Sequence, residues 1–308
     1  MVSRFPAKPL TIFFDGTMMH YEGDHIIRPP SEADSIILQV TVGCSHNRCT
    51  FCGTYKDVAF RIKEDAIVDA DLEFAARYCG RQRRVFLADG DVLAISQARL
   101  VSLLGKIRAR LPWVNRVSLY GNAKAIRNKS VEQLEQLKAL GLDRIYMGLE
   151  SGDDAVLTSI DKGSDATAMI AAAQRVRSAG LFLSVTALLG IGGVARSVEH
   201  ARATGQVLSV MQPNQIGILS LMLLPNTPLH RAEQAGEFAL PKPHGLLREL
   251  RILVEHLDVQ RAQLQTNHAS NHLPISARLP RDKQAVLTSI DLALAGRTAL
   301  KPEFLRAL

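Results

Sequence analysis

From Ser35 onward, short apolar runs alternate with longer stretches whose apolar residues recur at spacings of three and four. This is the pattern of buried parallel strands joined by amphipathic covering helices. The apolar runs predict strands over Ser35 to Thr41, Arg84 to Ala88, Arg116 to Tyr120, Arg144 to Leu149, Leu181 to Leu189 and Gln215 to Leu223. Between them the periodicity predicts helices over Ile67 to Tyr78, Ala98 to Arg110, Val131 to Leu140, Ala166 to Ala179 and Val198 to Val210. Helix ends carry their usual punctuation: Ser130 with Gln133 forms a capping box, and Gly141 and Gly180 follow helical runs. Six βα units follow, an α/β array that can close into a barrel or stay open. Either way, ligands are expected at the carboxyl ends of the strands. After about Arg231 the pattern gives one helix over Leu246 to Leu257, a polar segment around Asn267 and a final helix near Asp282 to Leu294.

Composition narrows the class. The chain has 308 residues, 47% of them hydrophobic, enough to bury a full core. Lysine and arginine outnumber aspartate and glutamate 37 to 30, a formal charge of +7. These charges are scattered over many helices, with one local run at Arg81, Arg83 and Arg84, so a solvated surface is favoured over a nucleic-acid face. Met1 to Thr11 lacks the apolar core of a signal peptide, and the most apolar stretch, Ala179 to Ala195, is broken by Ser184, Thr186, Gly190, Gly192 and Gly193. A cytoplasmic protein with no membrane span is expected. In a reducing compartment, three of four cysteines within nine residues point to metal or redox chemistry rather than a disulfide framework.

Those three are Cys44, Cys49 and Cys52, on a short polar loop led by Gly43 directly after the first strand. Three thiolates can ligate three irons of a 4Fe-4S cluster and leave the fourth iron open. The competing readings are a zinc site closed by His46 and unliganded core cysteines. Cys79, at the end of a helical run, reads as a core or helix-end thiol rather than a ligand. With Phe51 ahead of its last cysteine, the loop resembles the cluster loop of radical S-adenosylmethionine (radical SAM) enzymes. It departs from that pattern in having four residues, Ser45 to Arg48, between the first two cysteines where the family usually has three.

Further segments match this family in order, most closely the branch that contains the Elongator catalytic subunit and oxygen-independent coproporphyrinogen oxidase. After the second strand, Ala88, Asp89, Gly90 and Asp91 fall where the family has its turn for the methionine ammonium, with the two aspartates as candidate acceptors. A pair of helix-capping aspartates accounts for the same residues. After the fourth strand, Glu150 and Ser151 match the segment that contacts ribose hydroxyls and methionine. After the fifth, Gly190 and Ile191 match the run that lies against adenine, where glycine permits close approach. The sixth ends in Leu224-Pro225-Asn226-Thr227-Pro228-Leu229, again similar to that branch.

The resemblance implies a partial (β/α)6 TIM-type barrel over residues 35–231, between an N-terminal extension (1–34) and a helical C-terminal extension (232–308) packing on it. It implies a 4Fe-4S cluster, S-adenosylmethionine as cosubstrate, reductive cleavage to a 5'-deoxyadenosyl radical, hydrogen abstraction from a substrate, and a low-potential electron donor of flavodoxin or ferredoxin type. A small metabolite is the favoured substrate, because no further RNA-binding domain fits in the remaining residues. RNA or protein as substrate, and a noncatalytic cluster protein or haem carrier, are the alternatives. The polar segment Thr266 to His272 is expected to fold back onto the open face of the barrel and offer His268 or His272 to the substrate for hydrogen bonding or proton transfer.

Overall fold

The computed structural model describes residues 18–23 and 26–307. Among these residues ten strands run in chain order: β1 (Ile36–Gln39), β2 (Thr41–Val42), β3 (Arg61–Ile62), β4 (Arg84–Ala88), β5 (Arg116–Tyr120), β6 (Leu142–Glu150), β7 (Phe182–Leu189), β8 (Gln215–Ser220), β9 (Ala262–Gln265) and β10 (Ser276–Leu279). Eight form one sheet in the order β1-β4-β5-β6-β7-β8-β9-β10, and β2 and β3 pair separately. Every neighbouring pair from β1 to β9 is parallel, and β10 returns antiparallel to β9. No pairing between β1 and β10 closes the sheet, so the barrel is partial.

All six predicted strands form, and the predicted helices match Asp65–Tyr78, Gln97–Arg110, Val131–Ala139, Ala166–Ser178 and Ser197–Met211. Ser130 and Gln133 make the reciprocal capping box, which satisfies two amide donors at the start of its helix. Gly141 and Gly180 take φ of 109° and 68°, the left-handed conformation in which a side chain would be strained. The run near Ala179 to Ala195 is central strand β7, whose residues are mostly buried because both faces are covered. Among the described residues, no helix is long and apolar enough to cross a membrane.

The C-terminal extension departs from the expectation of a helical addition. Its Ala262-Gln263-Leu264-Gln265 segment becomes β9, extending the parallel sheet to a seventh strand, and Ser276–Leu279 adds an eighth. Four residues, two of them glutamines, give too short a period-two signal to stand out. Pairing with β8 supplies the missing stabilisation.

Register stacks the inward-facing side chains in layers. Phe86, Ser118, Arg144 and Phe182 are neighbours across β4 to β7. Above them lie Tyr120, Tyr146, Ser184, Gln215 and Gln263. The next layer, nearer the carboxyl ends, is Gly148, Thr186, Gly217 and Gln265. Alternation along each strand turns these toward the interior while Val85, Leu119, Ile145, Leu183 and Leu264 pack outward under the helices. The interior of the curled sheet is therefore polar on the β7 to β9 side. On the opposite side it is aromatic, where Phe86, Tyr120 and Tyr146 meet edge to face at centroid distances of 5.2 to 6.1 Å.

Candidate functional site

Cys44, Cys49 and Cys52 sit on the loop that leaves β2, and all three line one cavity of about 1190 Å³ that continues into the curled sheet. The loop is fastened on each side. Thr50 donates its backbone N–H to Ile160 O (2.9 Å), and its own carbonyl accepts from Leu229 N (3.0 Å). Lys56 Nζ donates to Cys49 O at 2.7 Å. Asn47 takes a left-handed φ of 44°, a conformation asparagine tolerates, and its amide donates to Tyr55 O (2.6 Å) and Val58 O (3.2 Å). The longer Ser45 to Arg48 spacer is thus a tight, hydrogen-bonded bend. A Cβ on Gly53 would lie 2.3 Å from Asn226 Oδ1, and one on Gly90 would lie 3.0 Å from Cys44 Cβ. Both glycines let neighbouring loops press against the cysteine loop.

The donor set fits an iron–sulfur cluster better than zinc. His46, the candidate fourth zinc ligand, holds Asp161 O through Nε2 at 2.6 Å, and its ring lies against Gly163. Among the described residues, no three histidine, cysteine or acidic side chains converge as ligands of a single ion, whereas a cluster has its ligands on separate irons. Burial pushes the Cys49 thiol up to about 11, against the pull of Lys162, so a bound metal is what would favour the thiolate. Burial also raises Cys44. Cys79 caps the helix Asp65–Tyr78 and does not line the cavity.

Beside the cysteines, the turn after β4 contributes two buried aspartates. Asp89 accepts hydrogen bonds from Tyr55 Oη and, at 3.4 Å, from Gln39 Nε2. Asp91 accepts from Ser45 Oγ and from Asn122 Nδ2 at 2.7 Å. Burial raises both carboxyls to about 6, against these hydrogen bonds. Asp91 and Gly90 line the cavity, while Ala88 and Asp89 lie behind it. Glu150, at the end of β6, has a left-handed φ of 62°, a cost of about 1 kcal/mol for a residue with a Cβ. Its carboxylate enters the cavity and accepts from Lys162 Nζ at 2.9 Å. Burial alone would lower the Lys162 pKa, but Glu150 and Cys49 raise it on balance and keep the ammonium charged. A Cβ on Gly148 would sit 2.1 Å from Glu150 Oε1 and 3.1 Å from Lys162 Nζ, so a side chain there would push this pair out of its present position.

Lys162 escapes sequence reading: it follows Asp161 in a turn twelve residues past Glu150, and only Gly163 marks the place. The same holds for Asn122 and Tyr55.

Besides Ala88 and Asp89, three more of the residues expected at the cosubstrate lie outside the cavity lining. Ser151 is buried and hydrogen-bonds His200 Nδ1 at 2.8 Å while accepting from Asp153 N at 3.0 Å. Gly190 gives its N–H to Glu249 Oε2 at 2.6 Å, and Ile191 packs with Val156, Leu157 and Leu188. None of the three lines the cavity, whereas Phe51 does. They fix the shape of the loops behind the site. At the far side, Asn267 and His268 line the cavity, and Ser270 N donates to His268 Nδ1 at 3.1 Å, which leaves Nε2 as the ring's donor. His272 turns away beneath this segment, with Nδ1 2.8 Å from Lys301 O.

Glu249 and His200 form a buried pair behind the loops, 4.0 Å apart, with Ser197 Oγ on the carboxylate at 2.7 Å. Burial raises Glu249 to about 7 and lowers His200 to about 4. On unfolding between pH 5 and 6.5 the glutamate releases a proton and the histidine takes one up. The raised acid makes stability fall with pH, the lowered base makes it rise, and the two slopes cancel. Glu249→Gln removes one of them. Compared with wild type in urea denaturation, this variant is expected to gain about 1.5 kcal/mol between pH 5 and pH 6.5. Parallel profiles would refute the paired titration.

Comparison with known proteins agrees with this architecture. A family model described as the radical SAM superfamily matches residues 38–202, just over half of the chain. Anaerobilin synthase of Escherichia coli O157:H7 is 22% identical over 209 residues, which cover 63% of this chain and 45% of that protein. The haem chaperone HemW of Bacillus subtilis (strain 168) is 21% identical over 159 residues, 52% of this chain and 42% of that one. The chain thus spans less than half the length of these curated relatives. Among solved structures, coproporphyrinogen III oxidase (HemN) from Escherichia coli superposes with a TM-score of 0.54 at 17% identity, covering 72% of this chain and 51% of that one. TsrM, a radical S-adenosylmethionine methyltransferase from Kitasatospora setae, superposes with a TM-score of 0.52 at 22% identity, covering 67% and 41%. Three cysteines on the loop that opens a parallel βα sheet, together with the family match from the first strand into the helix after β7, make this chain a member of the radical SAM superfamily.

Proposed function

We propose that the protein is a radical enzyme that cleaves S-adenosylmethionine at a 4Fe-4S cluster held by Cys44, Cys49 and Cys52 and abstracts hydrogen from a small-molecule substrate. The observation that carries this reading is the single cavity shared by three thiols, the Glu150–Lys162 pair and the polar interior of the sheet. With an external low-potential flavodoxin or ferredoxin as electron donor, cluster and cosubstrate together supply the one-electron cleavage that yields the 5'-deoxyadenosyl radical.

The chain's own residues bind and shield. Lys162 is the cation beside the cysteine loop suited to a carboxylate, and Asp91 is an acceptor suited to an ammonium. Glu150 is an acceptor for ribose hydroxyls, and Phe51 offers an apolar face to the cosubstrate. Residues 35–231 hold the cofactors in this reading, and residues 232–308 complete the substrate chamber through Gln263, Gln265 and His268. His268 is a hydrogen-bond donor to substrate.

The test is an anaerobic assay of reconstituted protein with S-adenosylmethionine and dithionite, quantifying 5'-deoxyadenosine, followed by deuterium transfer from labelled metabolite pools. Deoxyadenosine formation at full cluster loading is the expected result. A fully loaded protein that forms none and instead takes up haem would be a noncatalytic haem carrier, and this proposal would fail.

A further inference from the structure

The cavity does not end at the cofactor residues. It runs between the strands to a floor near their amino-terminal ends, where Arg144 lines it. We propose that Arg144 is the anion clamp of the substrate chamber and that the substrate is a small organic carboxylate carrying hydroxyl or amino groups. This rests on the radical reading above and assigns its substrate class.

Arg144 is held but unbalanced. Its guanidinium carbon stands over the Phe182 ring, 3.8 Å from the centroid, a cation–π contact that holds the charge in place, and 5.9 Å from that of Tyr146. Its one hydrogen bond among the described residues is a long one, 3.4 Å, from Nη1 to Tyr146 Oη, and its buried Nε has no partner. No carboxylate of the described residues lies within ion-pair distance. Arg116, on the adjacent strand, provides the contrast: it pairs with Glu32 at 2.9 Å. Glu32 also accepts from Tyr146 Oη at 2.7 Å and Ser35 Oγ at 2.6 Å, so its carboxylate is already occupied. A guanidinium with one long hydrogen bond and an unpartnered Nε has N–H groups left for two-point recognition of a carboxylate.

The charge of the whole cavity agrees. Its lining carries Arg28, Lys124, Lys129, Arg144 and Lys162 against Asp91 and Glu150, and both carboxylates lie at the cofactor end. Above Arg144, the layers of Ser184, Gln215 and Gln263, then Thr186 and Gln265, offer amides and hydroxyls that donate and accept. Gln215 Oε1 is buried without a donor, a group whose desolvation a substrate hydroxyl or amine would offset. Room for the ligand comes partly from Gly217. A Cβ there would meet nothing nearer than Thr186 Oγ1 at 3.8 Å, so packing does not demand glycine and a larger side chain would project into the chamber.

The experiment is ligand-observed NMR on the cluster-loaded protein with S-adenosylmethionine bound. The probes are a fixed panel of small aliphatic, aromatic and hydroxy carboxylates, each paired with its primary amide. At least one acid is expected to bind tenfold or more tightly than its amide. Arg144→Met should erase that preference, Arg144→Lys should retain part of it, and Gly217→Val should weaken the same acid tenfold or more without touching a charge. Thermal midpoints verify that each variant is folded. Acids and amides binding alike, no acid binding at all, or a preference that survives Arg144→Met would each overturn the proposal. The change in the cluster's EPR signal on adding S-adenosylmethionine reports the cofactor end separately. If that change is absent the radical reading itself fails; if it is present without an acid preference, only the carboxylate assignment does.

Discussion

Replacing any one of Cys44, Cys49 or Cys52 with alanine is expected to abolish the broad iron–sulfur absorbance of the anaerobically reconstituted protein and lower its iron from about four per chain to near zero. Each thiol leaves the loop from a different point: Cys44 against Gly90, Cys49 beside Lys162, and Cys52 at the turn in which its N–H donates to Cys49 O at 3.3 Å. No fourth cysteine lines the cavity to substitute, and Cys79→Ala should leave iron content unchanged. Iron and absorbance together decide the matter. A cluster that survives loss of Cys49, or stoichiometric zinc with no iron uptake, would overturn the assignment.

The second large effect concerns the Glu150–Lys162 pair. Their side chains are 10% and 14% exposed and the pair is 2.9 Å apart, so removing either partner leaves a nearly buried charge without its counterion. Glu150→Gln and Lys162→Met are each expected to weaken S-adenosylmethionine binding tenfold or more, about 1.4 kcal/mol or greater, with iron content near wild type. Each single change should also cost about 3 kcal/mol of stability, the penalty of an unpaired buried charge, and the double variant should recover part of it. Equilibrium dialysis with labelled cosubstrate and urea denaturation measure the two quantities. Strictly additive losses in the double variant would show that the residues act separately. Unchanged affinity in both single variants would remove this pair from the cosubstrate site.

Sequence alone determined what depends on local periodicity and covalent spacing. The six core strands, their covering helices and the Ser130 capping box are local, because burial pattern and hydrogen-bonding side chains a few residues apart decide them. So is the cysteine loop, whose three thiols lie within nine residues and need no long-range contact to be seen together. Tertiary structure decided which neighbours of a motif face the cavity. Glu150 and Ser151 are adjacent, yet a left-handed turn sends one into the cavity and the other back to His200, a choice fixed by the helix Ser197–Met211 packed behind. Lys162, twelve residues from Glu150, meets it only once the chain after β6 folds back. The glutamine wall has the same origin. Gln215 and Gln263 are 48 residues apart and become neighbours through parallel pairing of β8 with β9, a strand too short to announce itself. Among the described residues Arg144 has no carboxylate within ion-pair distance because folding gives Glu32 to Arg116, since which carboxylate lies within reach of a cation is a matter of three-dimensional distance and not of sequence order.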